Sequence, residues 1–98
     1  VQGHVITVDR FGNILTNLAR RYVEGWWTLG ESRKVSLGGY DAELPLVSAY
    51  AEVASGQFLA TFSSGGFLEI ARREGNAAFQ LHILPGLPVV VSKTLAKP

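Results

Sequence analysis

The stretch Gln57-Phe58-Leu59-Ala60-Thr61-Phe62-Ser63-Ser64-Gly65-Gly66-Phe67-Leu68-Glu69-Ile70-Ala71-Arg72 decides the fold class. Two apolar runs flank a Ser-Ser-Gly-Gly turn. In an extended chain successive side chains point to opposite faces. Phe58, Ala60 and Phe62 then share one face of the first run, and Leu68 and Ile70 share one face of the second. Residues of this kind around a short Gly-containing loop read as a β-hairpin.

Downstream, Gly75-Asn76-Ala77-Ala78 reads as the opening of a single helical turn that runs to Leu81. Pro85-Gly86 turns the chain into a last strand, Pro88 to Ser92, and residues 93–98 read as a frayed tail. Upstream, Gly3 to Val8 reads as a strand. Phe11-Gly12-Asn13 is a turn, and Ile14-Leu15-Thr16 resumes a strand. Leu18 to Val23 is the best helix candidate, with Asn17 as its cap and Gly25 as its end. Trp26 to Leu29 and Lys34 to Leu37 read as strands. Gly38-Gly39 makes a tight turn into Tyr40 to Leu44. If Trp26 and Trp27 are extended they face opposite ways, one into the core and one toward a subunit contact. Many short strands with frequent turns indicate an antiparallel barrel or sandwich.

The chain has 98 residues, 47% hydrophobic and 17% charged, with a formal net charge of +1. That is one domain's length, and too apolar for a disordered segment. The low charge points to apolar surface covered by something outside the chain. The balance of charge argues against nucleic-acid binding, which draws on a basic excess. With no Cys, a disulfide scaffold and a Cys-ligated zinc site are excluded. No apolar run approaches the ~20 residues of a membrane span. The start at Val1 suggests a piece of a longer protein. His4 and His82 are isolated and read as structural. No Ser-His-Asp set is present, and no residue is assigned a catalytic or metal-binding role.

Two motifs carry a resemblance. One is Val8-Asp9-Arg10-Phe11-Gly12-Asn13-Ile14-Leu15-Thr16-Asn17. The other is Ser63-Ser64-Gly65-Gly66-Phe67-Leu68-Glu69-Ile70-Ala71-Arg72 followed by Gly75-Asn76-Ala77-Ala78, with Tyr50-Ala51-Glu52 between the two. In this order and spacing they resemble the C-terminal domain of the SAM hydroxide adenosyltransferase and SAM-dependent halogenase family, from Gly3 to about Val91. The resemblance implies a mainly β fold, a small antiparallel β-barrel with one or two short helices over residues 1–92. It implies a cytoplasmic homotrimer of two-domain subunits. Each active site would lie between the N-terminal domain of one subunit and the C-terminal domain of its neighbour. S-adenosyl-L-methionine (SAM) would be the substrate, with no cofactor. Water or hydroxide would attack C5′ of the ribose, giving adenosine and L-methionine; the halogenases use a halide instead.

Asn13 offers both a donor and an acceptor, as an adenine edge does, and Gly12 lets backbone approach closely. On the residues alone, Phe11-Gly12-Asn13 is more simply a turn; the resemblance makes Asn13 an adenine contact. Tyr50 is a candidate for stacking on the base, worth ~1–3 kcal/mol, against ordinary core packing. Arg72 is placed near adenine through its backbone or side chain, against a solvated strand-end charge. At the methionine end, Asp9 can accept from the ammonium. Ser64, with backbone groups of Gly65 and Gly66, can hold the amino-acid end, although Ser63 to Gly66 also read as a plain hairpin loop. Glu69, between apolar neighbours, reads as pairing with a cation across a strand. Asp9, Asn13, Tyr50 and Ser64 should share one open face. Tyr50 should be partly exposed, with Asp9 and Ser64 together at the end away from Asn13. Two other readings are a structural trimerisation barrel and an OB-like binder of single-stranded nucleic acid using Tyr22, Trp26, Trp27 and Tyr50 with Arg20 and Arg21.

Overall fold

The runs Phe58–Phe62 and Phe67–Arg72 form paired antiparallel strands in the computed structural model, which describes residues 1–77 and 82–95. In chain order the strands are β1 (Gln2–Val8), β2 (Ile14–Ala19), β3 (Ser32–Leu37), β4 (Tyr40–Pro45), β5 (Phe58–Phe62), β6 (Phe67–Arg72) and β7 (Pro88–Leu95). They lie in the order β4-β3-β7-β1-β2-β6-β5, with every named pair antiparallel. Just after β4, Leu46 bridges Ala60 of β5 in parallel, and the Val47 N–H donates to the Ala60 carbonyl at 2.9 Å. This contact joins the two edges of the sheet into a nearly closed barrel. Register shifts in β1, β2 and β3 mark irregular pairing, and such bulges bend strands and increase their twist. The β3–β4 connection is Gly38-Gly39, both with positive φ, as a two-residue hairpin with the right-handed strand twist requires.

Alternation fills the barrel. Ile14, Leu18, Val35, Leu37, Leu68, Ile70, Val89 and Val91 point inward and are at most 3% exposed. Strand β5 is buried on both faces, with Leu59 and Ala60 each at 0%. The second face is covered because residues 46–57 fold back over the outside of β5 and β6. Val47 and Val53 there form a small cluster with Leu59 and Ala71. Burying a side chain such as Leu59 contributes ~1.5–3 kcal/mol, so this outer layer holds the 46–57 segment firmly.

Helical structure among the described residues is almost confined to two 3-10 turns, Arg20–Tyr22 and Tyr50–Glu52. Of the helix expected at Leu18 to Val23 only the 3-10 turn Arg20–Tyr22 forms; Leu18 and Ala19 finish β2 instead. Thr16 helps keep the chain in the sheet. Its Oγ1 donates to the Leu68 carbonyl at 2.8 Å and accepts from the Leu18 N–H at 3.2 Å. Asn17 caps nothing: its Oδ1 accepts from the His4 N–H of β1 at 2.7 Å. Trp26 to Leu29 is a turn and not a strand. Trp27 enters the core and donates Nε1–H to the Glu31 carbonyl, while Trp26 is partly buried. Strand β7 continues past Ser92 to Leu95, which pairs with Arg33 of β3. Residues 93–95 are therefore strand and not tail. The helical turn expected from Gly75 to Leu81 lies largely outside the described residues.

Candidate functional site

The β1–β2 connection is held by one carboxylate. Asp9 Oδ1 accepts from the N–H groups of Phe11 (2.8 Å) and Asn13 (3.0 Å), and Oδ2 accepts from Asn13 Nδ2 (3.1 Å). The backbone closes the same loop, with Asp9 N–H donating to the Asn13 carbonyl and Gly12 N–H to the Asp9 carbonyl. A carboxylate offers about four acceptor sites, so Oδ2 keeps one for a further donor. The pairing also fixes the Asn13 amide, leaving its carbonyl Oδ1 directed away from Asp9. Gly12 has φ +83, and a Cβ there would stand 1.9 Å from Asn76 Oδ1. Only glycine lets Asn76 close over this turn.

Tyr50 approaches from the overlying segment. It is 37% exposed, and its hydroxyl donates to Glu69 Oε2. Burial chiefly, then this hydrogen bond and the charges of Glu69 and Asp9, push the phenol's pKa well above its ordinary value. The bond to Glu69, which pairs with Leu15 two residues along β2 from Asn13, brings the phenol hydroxyl to this part of the outer face. Glu69 lies opposite Leu15 of β2 and Thr61 of β5, and is 9% exposed. The expected cation is not its partner; the phenol is. The 3-10 turn under Tyr50 has its own anchors. Glu52 Oε2 accepts from the N–H groups of Ser48 and Ala49, and the Ser48 hydroxyl first among its contacts holds the Glu52 carboxyl below its usual pKa.

The same outer face continues along β6. Ile6, Thr7, Leu15, Asn17, Ser63 and Phe67 line an open groove of about 300 Å³. Its apolar members include Ile6 and Phe67, both well exposed. The hairpin tip bearing Ser64 and Gly65 lies beyond it, with Ser63 N–H bonded to the Phe67 carbonyl at 2.9 Å. Ile14 pairs with Ile70, which brings Asn13 level with Ala71. From Ala71 to Phe67 is four residues, about 13 Å at the rise of a strand. The face thus has two ends, Asp9–Asn13–Tyr50–Glu69 and Ser64–Gly65, joined by an apolar groove.

Two placements differ from the expected ones. Asp9 lies with Asn13 and not with Ser64, because the turn needs its carboxylate. Arg72 shares the strand parity of Leu68 and Ile70, so its side chain leaves β6 on the side away from Glu69. Its Nε donates to the Gly56 carbonyl at 2.7 Å and its guanidinium lies over the Phe58 ring. Only its backbone remains near the cluster. Glu69 was not among the expected site residues; a charged residue at the centre of an apolar strand was the available signal. Among the described residues no group of three or more His, Cys, Asp or Glu is placed to hold a metal ion.

The profile of a family described as the SAM hydroxide adenosyltransferase C-terminal domain matches residues 3–90. The chain is 35% identical over 88 residues to an (R)-S-adenosyl-L-methionine hydrolase of Thermus thermophilus, covering 90% of this chain and 31% of that protein. It is 32% identical over 93 residues to a fluorinase of Nocardia brasiliensis, covering 91% and 31%. Among solved structures, an uncharacterized conserved protein from Thermotoga maritima superposes with a TM-score of 0.88 at 28% identity, covering 93% of this chain and 35% of that one. A conserved hypothetical protein from Thermus thermophilus gives 0.74 at 34% identity, covering 93% and 34%. The chain therefore spans about a third of the length of these relatives.

Proposed function

This chain belongs to the SAM hydroxide adenosyltransferase family through its C-terminal domain, and from that premise we propose that it is the substrate-gripping domain of a SAM hydrolase. The complete enzyme would join SAM and water to give adenosine and L-methionine. The observation that carries the reading is the two-ended outer face of β2 and β6. An adenosyl sulfonium with an amino-acid tail has the matching layout: a flat polar-edged base, a ribose and thioalkyl middle, and a zwitterionic end.

Asn13 pairs with the adenine edge through the carbonyl that Asp9 leaves available, and the Tyr50 ring forms a wall against the base. Ser64 and the Gly65 backbone take the carboxylate of the methionine end. Asp9 contributes its remaining lone pair to a donor on the substrate. Arg72 contributes only through its backbone. The face is open, as one half of a site shared with an N-terminal domain would be, and we place the enzyme in a cytoplasmic homotrimer with that domain on a neighbouring subunit. No helix among the described residues is long and apolar enough to cross a membrane.

The chemistry asks little of this domain beyond placement. A sulfonium is already a good leaving group, so no acid is needed at sulfur. What remains is to hold C5′ in line with the nucleophile and exclude bulk water. The absence of a general base among the proposed contacts fits that division of labour. The relatives include both a hydrolase and a fluorinase; the hydrolase reading is preferred on the slightly higher identity.

The test is Asn13→Ala in the protein that carries this domain joined to its N-terminal domain. KM for SAM should rise, with kcat changed much less, because the lost contact binds the base and not the breaking bond. An unchanged KM with kcat down by orders of magnitude would remove Asn13 from the base site. Adenosine as the product separates the hydrolase from a halogenase, which would release a halogenated nucleoside.

A further inference from the structure

We propose that Glu69 is a positioning residue for SAM, acting through the Tyr50 ring. Its carboxylate holds the phenol hydroxyl and so fixes the torsion of the ring that walls the adenosyl site. This inference rests on the reading of the outer β2–β6 face as that site.

Glu69 sits at the centre of β6, 9% exposed, between Leu15 and Thr61. Among the described residues no Lys or Arg forms an ion pair with it; the two ion pairs found are Arg33–Glu31 and Lys34–Asp41. A buried carboxylate without a cation is costly. Its neighbours Leu59 and Ala71 show that an apolar side chain suits this outer layer. The hydrogen bond from Tyr50 is what Glu69 has in return.

That bond is not needed to hold the loop. The 3-10 turn is tied down by Glu52, by Arg73 Nη1 donating to the Val53 carbonyl at 2.6 Å, and by Val47 and Val53 packed on Leu59 and Ala71. With the backbone fixed elsewhere, Glu69 acts on the one freedom left to Tyr50, the orientation of its side chain. The raised pKa of the phenol keeps the hydroxyl a donor across the physiological range. A ring fixed before substrate arrives spares the ordering cost of an immobilised side chain, worth about threefold to tenfold in affinity.

The experiment uses the protein carrying this domain joined to its N-terminal domain, with SAM as ligand, and four variants: Glu69→Gln, Glu69→Leu, Tyr50→Phe and Tyr50→Phe/Glu69→Leu. Glu69→Gln keeps an acceptor and should bind SAM like the parent. Glu69→Leu and Tyr50→Phe should each raise Kd and KM about threefold to tenfold, with kcat within about twofold. The double variant should be no worse than either single one, because both remove the same contact. A ligand-free readout is the ultraviolet absorbance of the phenolate, which should appear at lower pH in Glu69→Gln than in the parent. Additive effects of the two single changes, or an unchanged KM in Glu69→Leu while Asn13→Ala raises it, would overturn the role of Glu69 and leave the site standing. An unchanged KM in Asn13→Ala would instead overturn the site reading beneath it. If Glu69→Leu does not fold, an unchanged KM in Tyr50→Phe overturns the proposal equally.

Discussion

Replacing Gly12 by Ala tests the turn from which the candidate site is built. Two separate costs meet there. Gly12 has φ +83, a region in which an L side chain costs ~1–2 kcal/mol. A Cβ would also stand 1.9 Å from Oδ1 and 2.1 Å from Cγ of Asn76, so Asn76 must be displaced, at a further ~1–3 kcal/mol by analogy with overpacking. The sum is about 2–5 kcal/mol. At roughly 4–8 °C per kcal/mol for a domain of this size, the midpoint should drop by roughly 8 to 40 °C. Urea unfolding of the domain measures the free energy directly. The two costs separate in an Asn76→Ala background, where the obstructing atoms are gone and Gly12→Ala should cost only the backbone share. Gly25→Ala is the control: φ is +94 but no atom lies within 4 Å of the new Cβ, so it should show the backbone share alone. If Gly12→Ala costs the same with and without the Asn76 side chain, the close approach is not why glycine is needed there.

Ile70→Ala should destabilise by ~2–5 kcal/mol in thermal or urea unfolding, since Ile70 is fully buried. Leu29→Ala, at an exposed position, should stay within about 0.5 kcal/mol; equal effects would contradict the assigned core. The raised pKa of Tyr50 means the folded state holds the phenolic proton more tightly than the unfolded chain. Its contribution is complete below the unfolded value of about 10 and is lost as pH rises through that value toward the folded one. The urea midpoint should therefore fall more between about pH 9 and about pH 11 in the parent than in Tyr50→Phe, and matching slopes would refute the assignment. The 98-residue chain by itself should release no adenosine from SAM, because its proposed contacts bind and do not catalyse; measurable turnover after purification would contradict this.

The strands legible in the sequence are those in which one physical signal dominates. Phe67 to Arg72 is bounded by its turn and by alternation, and Gly38-Gly39 announces its hairpin because glycine takes positive φ at both positions without steric cost. Leu18 to Val23 misled because it has the composition of a short helix. The hydrogen bond from Thr16 to the Leu68 carbonyl and that from His4 to Asn17 keep its first two residues in the sheet, and both partners are remote in sequence. The end of β7 was hidden for a similar reason: Ser92 to Leu95 carries little apolar signal, and its pairing with β3 is decided by backbone. In the candidate site, the residue types were legible through the motifs but their grouping was not. Asp9 binds Asn13 because a turn forms between them. Tyr50 and Glu69 meet only because residues 46–57 fold back over β6.

That fold-back follows directly from the seam of the barrel. Leu46 closes the sheet against Ala60, and within a few residues the same stretch of chain presents Tyr50 to the candidate site. Closure and ligand wall are thus set by one span with almost no slack between them. Lengthening it ahead of Tyr50 would shift the ring and loosen the seam together, so this wall can diversify by exchanging side chains but not by growing. Between Val53 and Phe58, before β5 returns the chain to the seam, insertions are free of that coupling.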